Sequence, residues 1–183
     1  MYRYRNIMAI IVLSALVLVN TSCTPAAEGG FLRALDSPAE MKITGERNGV
    51  AFSAELTVGA KGDDGMRDGG MLFTSPAPLE GIEVSTAGGV WNSSLGGVEI
   101  AGISAALLGA PLVAFTCVGE AVSAEKLADS EGRTRTLIVT RSGAGTVEYL
   151  IDSKSGIPLS VTEKDADGAV VMKYDISEYK NIS

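Results

Sequence analysis

The sequence predicts a mainly β protein, in which an antiparallel sheet is accompanied by one or two helices. Three observations lead to this prediction. Apolar and polar residues alternate with a period of two along much of the chain, which is typical of strands that bury one face. Glycine-rich turns separate these segments at short intervals, and this favours hairpins over alternating strands and helices. One long apolar stretch, residues 103–118, interrupts the pattern and is the best helix candidate.

The first residues have the features of an exported lipoprotein. Arg3 and Arg5 precede an apolar run over residues 7–19, and small residues follow it, which is the order of a signal peptide. The run is shorter than the roughly 20 apolar residues that a spanning helix requires. Thr21-Ser22-Cys23 resembles the lipobox of bacterial lipoproteins, in which the cysteine receives a lipid. The alternative is an ordinary cleaved signal peptide with Cys23 incidental.

Three segments follow from this interpretation. We expect residues 1–22 to be the signal peptide, 23–30 a flexible tether and 31–183 a single folded domain. Two or more acyl chains on Cys23 would anchor the chain stably, so we expect a membrane-anchored protein of the cell envelope. It would lie on the outer face of the plasma membrane, or on the outer membrane of a cell that has two. The residue after Cys23 is Thr24. In many Gram-negative cells an Asp at this position resembles an inner-membrane retention signal, so Thr24 permits sorting to the outer membrane.

Charge and composition exclude several classes of function. The net charge is −7 at pH 7, and an acidic surface repels nucleic acid, so we expect no nucleic-acid binding. The chain has no histidine, the commonest general base and metal ligand. We therefore expect neither an enzyme nor a cofactor. Cys117 would be the only thiol left once Cys23 carries lipid, and its apolar neighbours predict a buried core residue.

The first half of the folded part is predicted to be a meander of short strands. Asn48-Gly49, the strongest short hairpin signal, joins a strand at residues 41–46 to a strand at residues 50–58. Further strands are predicted at residues 71–73, 81–85, 89–93 and 97–100. The glycine pairs at residues 29–30, 69–70, 88–89 and 96–97 lack a phosphate-binding spacing, and we expect turns or bulges there.

The apolar stretch at residues 103–118 has two interpretations. Gly109 and Pro111 prevent one uninterrupted helix, so we expect a kinked helix or two short ones. As core, this segment closes the sheet. As a lid, it lines a cavity in which an aliphatic ligand replaces part of the packing. The residues that would line this cavity are Phe52, Leu56, Leu107, Leu108, Leu112, Phe115 and Ile138.

The last third returns to alternating strands joined by turns. They are predicted at residues 121–127, 133–141, 146–151, 157–163 and 169–178. These strands share one apolar face, which the helical segment has to cover. Two acidic groups, Asp63, Asp64 and Asp68 in one loop and Asp165 and Asp167 in another, lack the pattern of an EF-hand. We expect both to be solvated turns without a metal ion.

Residues 149–159 carry a resemblance to a known superfamily. The run from Tyr149 through Asp152 and Gly156 to Pro158 resembles the strand, Asp-x-x-[Thr/Ser]-Gly-x-Pro turn and strand of the lipoprotein-carrier superfamily, which includes LolA, LolB, RseB, LppX and LprG. The resemblance covers the last third of the chain. It implies an open half-barrel, a strongly curved antiparallel sheet of roughly ten or eleven strands with helices plugging the concave face. In LolA-like proteins the concavity holds acyl chains.

Two functions are therefore expected. The first is a lipid-anchored envelope protein that binds a lipid, a lipoprotein acyl chain or another apolar ligand. A continuous cavity would support this function. The alternative is a non-enzymatic interaction or sensor protein of the RseB kind, which presents the same scaffold to a protein partner. Its mark would be a filled interior with an apolar surface patch. A monomer is expected in either case.

Overall fold

A computed structural model describes residues 37–63, 65–100, 108–128 and 131–182 of the chain. Within these residues, eleven strands form one antiparallel sheet and one short helix packs against it. The elements are β1 (Ala39–Arg47), β2 (Val50–Lys61), β3 (Arg67–Ser75), β4 (Ile82–Ala87), β5 (Val90–Leu95), β6 (Val98–Glu99), α1 (Ala110–Thr116), β7 (Ala121–Ala128), β8 (Thr134–Ser142), β9 (Gly145–Asp152), β10 (Pro158–Lys164) and β11 (Val170–Asn181). The predicted mainly β class is confirmed.

The sheet is open and is not closed into a barrel. Its strand order is β6-β5-β4-β3-β2-β1-β11-β10-β9-β8-β7, so the two halves of the chain form two meanders that join where β1 pairs with β11. Ala39 lies opposite Asn181, and the Ile182 amide donates to the Pro38 carbonyl at 2.9 Å. The two ends of the described chain therefore meet at the middle of the sheet.

Local turn chemistry sets the hairpins. Asn48 and Gly49 have φ values of 49° and 82°, which is the left-handed geometry that a two-residue hairpin requires, and they join β1 to β2 as predicted. Asp152 shapes the turn of the resemblance motif, because its carboxylate accepts the Ser155 amide at 2.7 Å and the Ser155 hydroxyl at 2.8 Å. These hydrogen bonds hold the pKa of Asp152 below its usual value.

The core lies on one face of the sheet, as the period of two predicts. In β2, the side chains of Phe52, Ala54, Leu56 and Val58 are buried, while most of those between them are exposed. The same alternation continues through β4, β8 and β9. The opposite face carries charged side chains such as Lys42, which pairs with Glu178 at 3.2 Å. One apolar face thus remains to be covered.

Helix α1 covers that face and shows the predicted break. Leu108 is helical, Gly109 forms a turn, and α1 starts at Ala110 with Pro111 in its first turn, where a proline costs no hydrogen bond. The segment 101–107 lies outside the described residues. None of the helices in the described part of the chain is long and apolar enough to cross a membrane.

The contacts of α1 require the sheet to be curved. Strands β3 and β9 are five positions apart in the sheet order, which in a flat sheet would separate them by roughly 24 Å. A helix with its side chains is about 10–12 Å across. Yet Leu112 lies 3.0 Å from an ideal Cβ built on Gly69 of β3, and Tyr149 of β9 donates a hydrogen bond to the Ala114 carbonyl at 2.7 Å. The sheet therefore wraps around α1, which plugs an open half-barrel.

The glycine pairs were expected in turns or bulges. Gly88, Gly89, Gly96 and Gly97 lie in turns with positive φ, whereas Gly69 and Gly70 lie inside β3, where the pairing of β2 with β3 shifts register between Val58 and Lys61. The expectation for Cys117 was wrong. Cys117 is exposed and not part of the core. Cys117 is the C-cap of α1 and follows Val113 by one turn, so the two residues lie on the same side of the helix. Val113 is only half-buried, which shows that this side is not the buried face.

Candidate functional site

The residues expected to line a cavity occupy the interior of the half-barrel. Phe52, Leu56, Leu112, Phe115 and Ile138 are all buried in one apolar core cluster. Leu108 is half-buried and packs against this cluster, while Leu107 and Cys23 lie outside the described residues. The structure therefore brings together the predicted residues that it describes, and five of them are buried.

Aromatic rings hold α1 in place. The Phe115 ring centroid lies 6.4 Å from that of Tyr149 and 6.5 Å from that of Tyr174. Phe52 in turn lies 6.3 Å from Tyr174 and 6.2 Å from Phe73. Such edge and tilted pairs add to the stabilisation from burial alone. The rings connect α1 to strands on both sides of the junction between β1 and β11.

Two buried phenols anchor the backbone of α1. Tyr149 donates to the Ala114 carbonyl at 2.7 Å, and Tyr174 donates to the Pro111 carbonyl at 3.2 Å. Ala114 lies in the last turn, where helix carbonyls lack a partner within the helix. Burial raises the pKa of both phenols well above the usual value, so both remain protonated donors. Sequence reasoning missed this role, although an inward-facing tyrosine in a strand is itself a signal that a buried acceptor lies opposite.

An apolar groove runs along one flank of α1. We use this name for the cavity of about 260 Å³ lined by Arg47, Asn48, Val50, Phe52, Phe73, Leu79, Leu108 and Pro111. It lies at the end of the sheet that contains the Asn48-Gly49 hairpin, and its wall comes from α1, the β1–β2 hairpin and β3. Val50 is 55% exposed there, so the groove is accessible from solvent.

A polar cavity occupies the opposite flank of α1. This cavity of about 240 Å³ contains apolar side chains together with polar ones, which are Arg47, Cys117, Thr140, Ser142, Tyr149 and Glu163. Arg47 lines both the polar cavity and the apolar groove. Arg47 therefore lies between the two cavities, beside the first turn of α1.

Acidic side chains in both loops that the sequence singled out form turn hydrogen bonds. Among the described residues, no three Cys, Asp or Glu side chains converge as a metal site. Asp165 accepts the amides of Asp167 and Ala169 and thereby shapes the turn between β10 and β11. Asp68 accepts the Gly88 amide at 2.9 Å. Asp68 and Asp165, one from each acidic loop of the sequence, therefore accept hydrogen bonds from turn amides. Asp64 lies outside the described residues.

Comparison with known proteins gives a fold and no close relative. No family model matches the sequence, and no curated protein matches it significantly. Among solved structures, MucB is similar with a TM-score of 0.56 and 16% identity, over 87% of this chain and 60% of the MucB chain. An uncharacterized conserved protein from Thermus thermophilus has a TM-score of 0.54 and 18% identity over 86% of both chains.

A LolA superfamily protein from Nitrosomonas europaea is a more distant neighbour, with a TM-score of 0.44 and 10% identity, over 86% of this chain and 94% of that one. The chain spans less than two thirds of MucB, which has also been solved in complex with MucA(peri). The MucB likeness shows that this chain has the MucB fold. The fold expected from the resemblance to the carrier and RseB group is thereby confirmed.

Proposed function

We propose that this chain is an exported, lipid-anchored envelope protein that binds an acyl chain or a similar apolar ligand in the apolar groove beside α1. The observation that carries this proposal is the groove itself, in which the exposed Val50 and the half-buried Leu79 and Leu108 surround the buried rings of Phe52 and Phe73. A pocket lined mainly by apolar side chains, with a few polar groups beside them, is the usual form of a small-ligand site.

The size of the groove favours a single chain as the ligand. Sites for drug-sized ligands usually measure about 300–1,000 Å³. The groove, at about 260 Å³, falls just below this range and fits a segment of one acyl chain. Each methylene buried there would contribute about 0.8 kcal/mol, so six of them would contribute about 5 kcal/mol.

The first turn of α1 is the part of the plug that can adjust to such a ligand. Helix α1 has seven residues, its N-cap Gly109 makes no side-chain cap hydrogen bond, and its first turn carries no acidic residue. A helix this short has little stability of its own, and its position depends on packing. An acyl chain in the groove would therefore replace side-chain contacts of Leu108 and Pro111 at the start of α1, while the hydrogen bond from Tyr149 and the packing of Phe115 hold its end in place.

The anchor part of the proposal concerns residues outside the described ones. It is supported by the signal peptide and lipobox pattern that ends at Cys23. We expect the chain to incorporate labelled palmitate in a bacterial host and the Cys23→Ser variant to incorporate none. Equal labelling of both would contradict the anchor.

The groove is tested by native mass spectrometry and lipid extraction of the full chain, with Cys23→Ser in every sample so that no lipid on Cys23 contributes. We expect a co-purified acyl lipid that Val50→Asp reduces at least tenfold, because a carboxylate desolvated against the ligand costs more than about 1.4 kcal/mol. Val50 lines the groove and is exposed, so this change leaves the core intact.

Val90→Asp is the matched control. Val90 is also the first residue of a strand after a two-residue turn, is 62% exposed, and is not one of the groove residues. We expect it to retain the lipid. A lipid-free wild type that also takes up no added fatty acid would refute the proposal.

A protein-binding scaffold is the second candidate. It is favoured by the filled interior and by the apolar side chains at the β5–β6 edge, where Leu95 is 50% and Val98 71% exposed. MucB, which has this fold, has been solved in complex with the protein MucA(peri). If the groove proves lipid-free, crosslinking from Val98 in the native envelope would test this alternative.

A further inference from the structure

The polar cavity carries one positive and one negative side chain. Its charged lining residues are Arg47 at the end of β1 and Glu163 in β10. Both lie opposite Met172 of β11, Arg47 on one side and Glu163 on the other. Directly opposed residues in an antiparallel sheet point to the same face. Because Met172 is buried on the core face, Arg47 and Glu163 also point toward the concave side.

The spacing of these charges is defined by the sheet. Two strand separations place the Arg47 and Glu163 backbones roughly 10 Å apart, with Met172 between them. Their side chains can therefore approach a small group above Met172 from two directions. The negative charge of Glu163 also affects Tyr149, since burial, and to a lesser extent the Glu163 carboxylate, raises the pKa of that phenol.

We infer that the ligand is an amphiphile with a zwitterionic headgroup of the phosphoethanolamine kind, whose chain lies in the apolar groove and whose headgroup lies in the polar cavity between Arg47 and Glu163. This inference rests on the proposed function. Arg47 lines both cavities, so it stands where chain and headgroup join. Its planar guanidinium suits the phosphate, and the Glu163 carboxylate suits the ammonium two carbon atoms away.

Other headgroups match these charges less well. A purely anionic headgroup would pair with Arg47 but would be repelled by Glu163 in the same cavity. A cationic headgroup would meet the reverse situation. An uncharged alcohol can hydrogen-bond to these side chains but carries no charge to pair with either of them, so it lacks the stronger bonds between two ionised groups.

The test uses three probes that carry chains of the same length. The full chain with Cys23→Ser, in non-ionic detergent, is titrated with palmitoyl lysophosphatidylethanolamine, palmitate and hexadecanol, and occupancy is read by native mass spectrometry. We expect the zwitterionic probe to bind about tenfold more tightly than either of the others. Arg47→Gln and Glu163→Gln should each reduce this preference to about twofold or less, and Arg47→Lys should retain part of it.

Lys42→Gln is the matched control, because it removes a charge from the opposite face of the sheet, where Lys42 pairs with Glu55 and Glu178. It should leave the preference unchanged. If Arg47→Gln fails to fold, Glu163→Gln alone decides, since a headgroup that contacts Glu163 must lose affinity. Equal binding of all three probes overturns this inference and leaves the proposed function standing. Binding of none overturns the proposed function itself.

Discussion

Tyr149 is the residue that ties the plug to the sheet most directly. Its hydroxyl reaches the Ala114 carbonyl at 2.7 Å, shorter than the 3.2 Å between Tyr174 and the Pro111 carbonyl. Both rings also pack against Phe115. A single phenol therefore supplies both apolar contact and a hydrogen bond to the end of α1, where the helix has few partners of its own.

The hydrogen bond of Tyr149 can be tested by removing one atom. Tyr149→Phe keeps the ring packing but leaves the Ala114 carbonyl without this donor in a buried site, so we expect it to lower the free energy of unfolding by about 1–2 kcal/mol. Tyr174→Phe, which loses the longer bond, should cost less. Urea unfolding followed by circular dichroism measures both. An unchanged midpoint for Tyr149→Phe would show that the bond does not stabilise the plug.

At the scale of single elements, β3 has to let α1 approach closely. An ideal Cβ on Gly69 would lie 3.0 Å from the Leu112 side chain, 3.0 Å from the Thr57 carbonyl and 3.2 Å from the Thr116 methyl. On Gly70, the next residue, it would meet the Val84 carbonyl at 4.0 Å. The two glycines thus differ in their surroundings although they are adjacent in sequence.

This difference gives a prediction with its own control. Gly69→Ala should lower the free energy of unfolding by about 1–2 kcal/mol, because the new methyl group overpacks the contact between β3 and α1. Gly70→Ala should be neutral or stabilising by up to about 1 kcal/mol, since it only restricts the unfolded chain. Thermal unfolding of both variants measures this. Equal effects of the two changes would mean that α1 does not press on β3 at Gly69.

The same contact explains where sequence reasoning about elements failed. Period-two alternation located β2 and β11, and Asn48-Gly49 located the first hairpin, because these signals are local. Strand β3 was expected only at residues 71–73, because Gly69-Gly70 looks like a turn when its partner in α1 is unknown. Cys117 was placed in the core for a similar reason. Its neighbours are apolar, but the end of α1 at Thr116 turns its side chain outward.

At the scale of the whole molecule, the half-barrel depends on contacts between distant residues. The pairing of β1 with β11 joins Ala39 to Asn181, and no local pattern specifies it. The resemblance at residues 149–159 implied the strong curvature of the sheet, while periodicity predicted the antiparallel class and a helical segment that covers its apolar face. The two cavities were not predicted as separate sites, because each combines side chains from strands that are far apart in sequence.

Ser37, the first described residue, and the groove lie at opposite ends of β1. Arg67 is buried and holds the chain at Ser37, donating to the Ser37 and Gly59 carbonyls at 2.6 Å each. Strand β1 then runs from Ala39 to Arg47, roughly 26 Å, before it reaches the groove. The fourteen peptide units between Cys23 and Ser37 would span at most about 50 Å if fully extended. A lipid on Cys23 is therefore within reach of the groove, which is why the binding tests remove it.

The central claim, that the groove beside α1 binds an acyl chain, is tested most directly by photocrosslinking. The full chain with Cys23→Ser is incubated with a diazirine analogue of palmitate, irradiated and digested, and the modified residues are mapped by mass spectrometry. We expect labels on groove residues such as Val50, Phe73 and Leu79, and competition by unlabelled palmitate. Absence of labelling, or labelling confined to the β5–β6 edge at Leu95 and Val98, would contradict it.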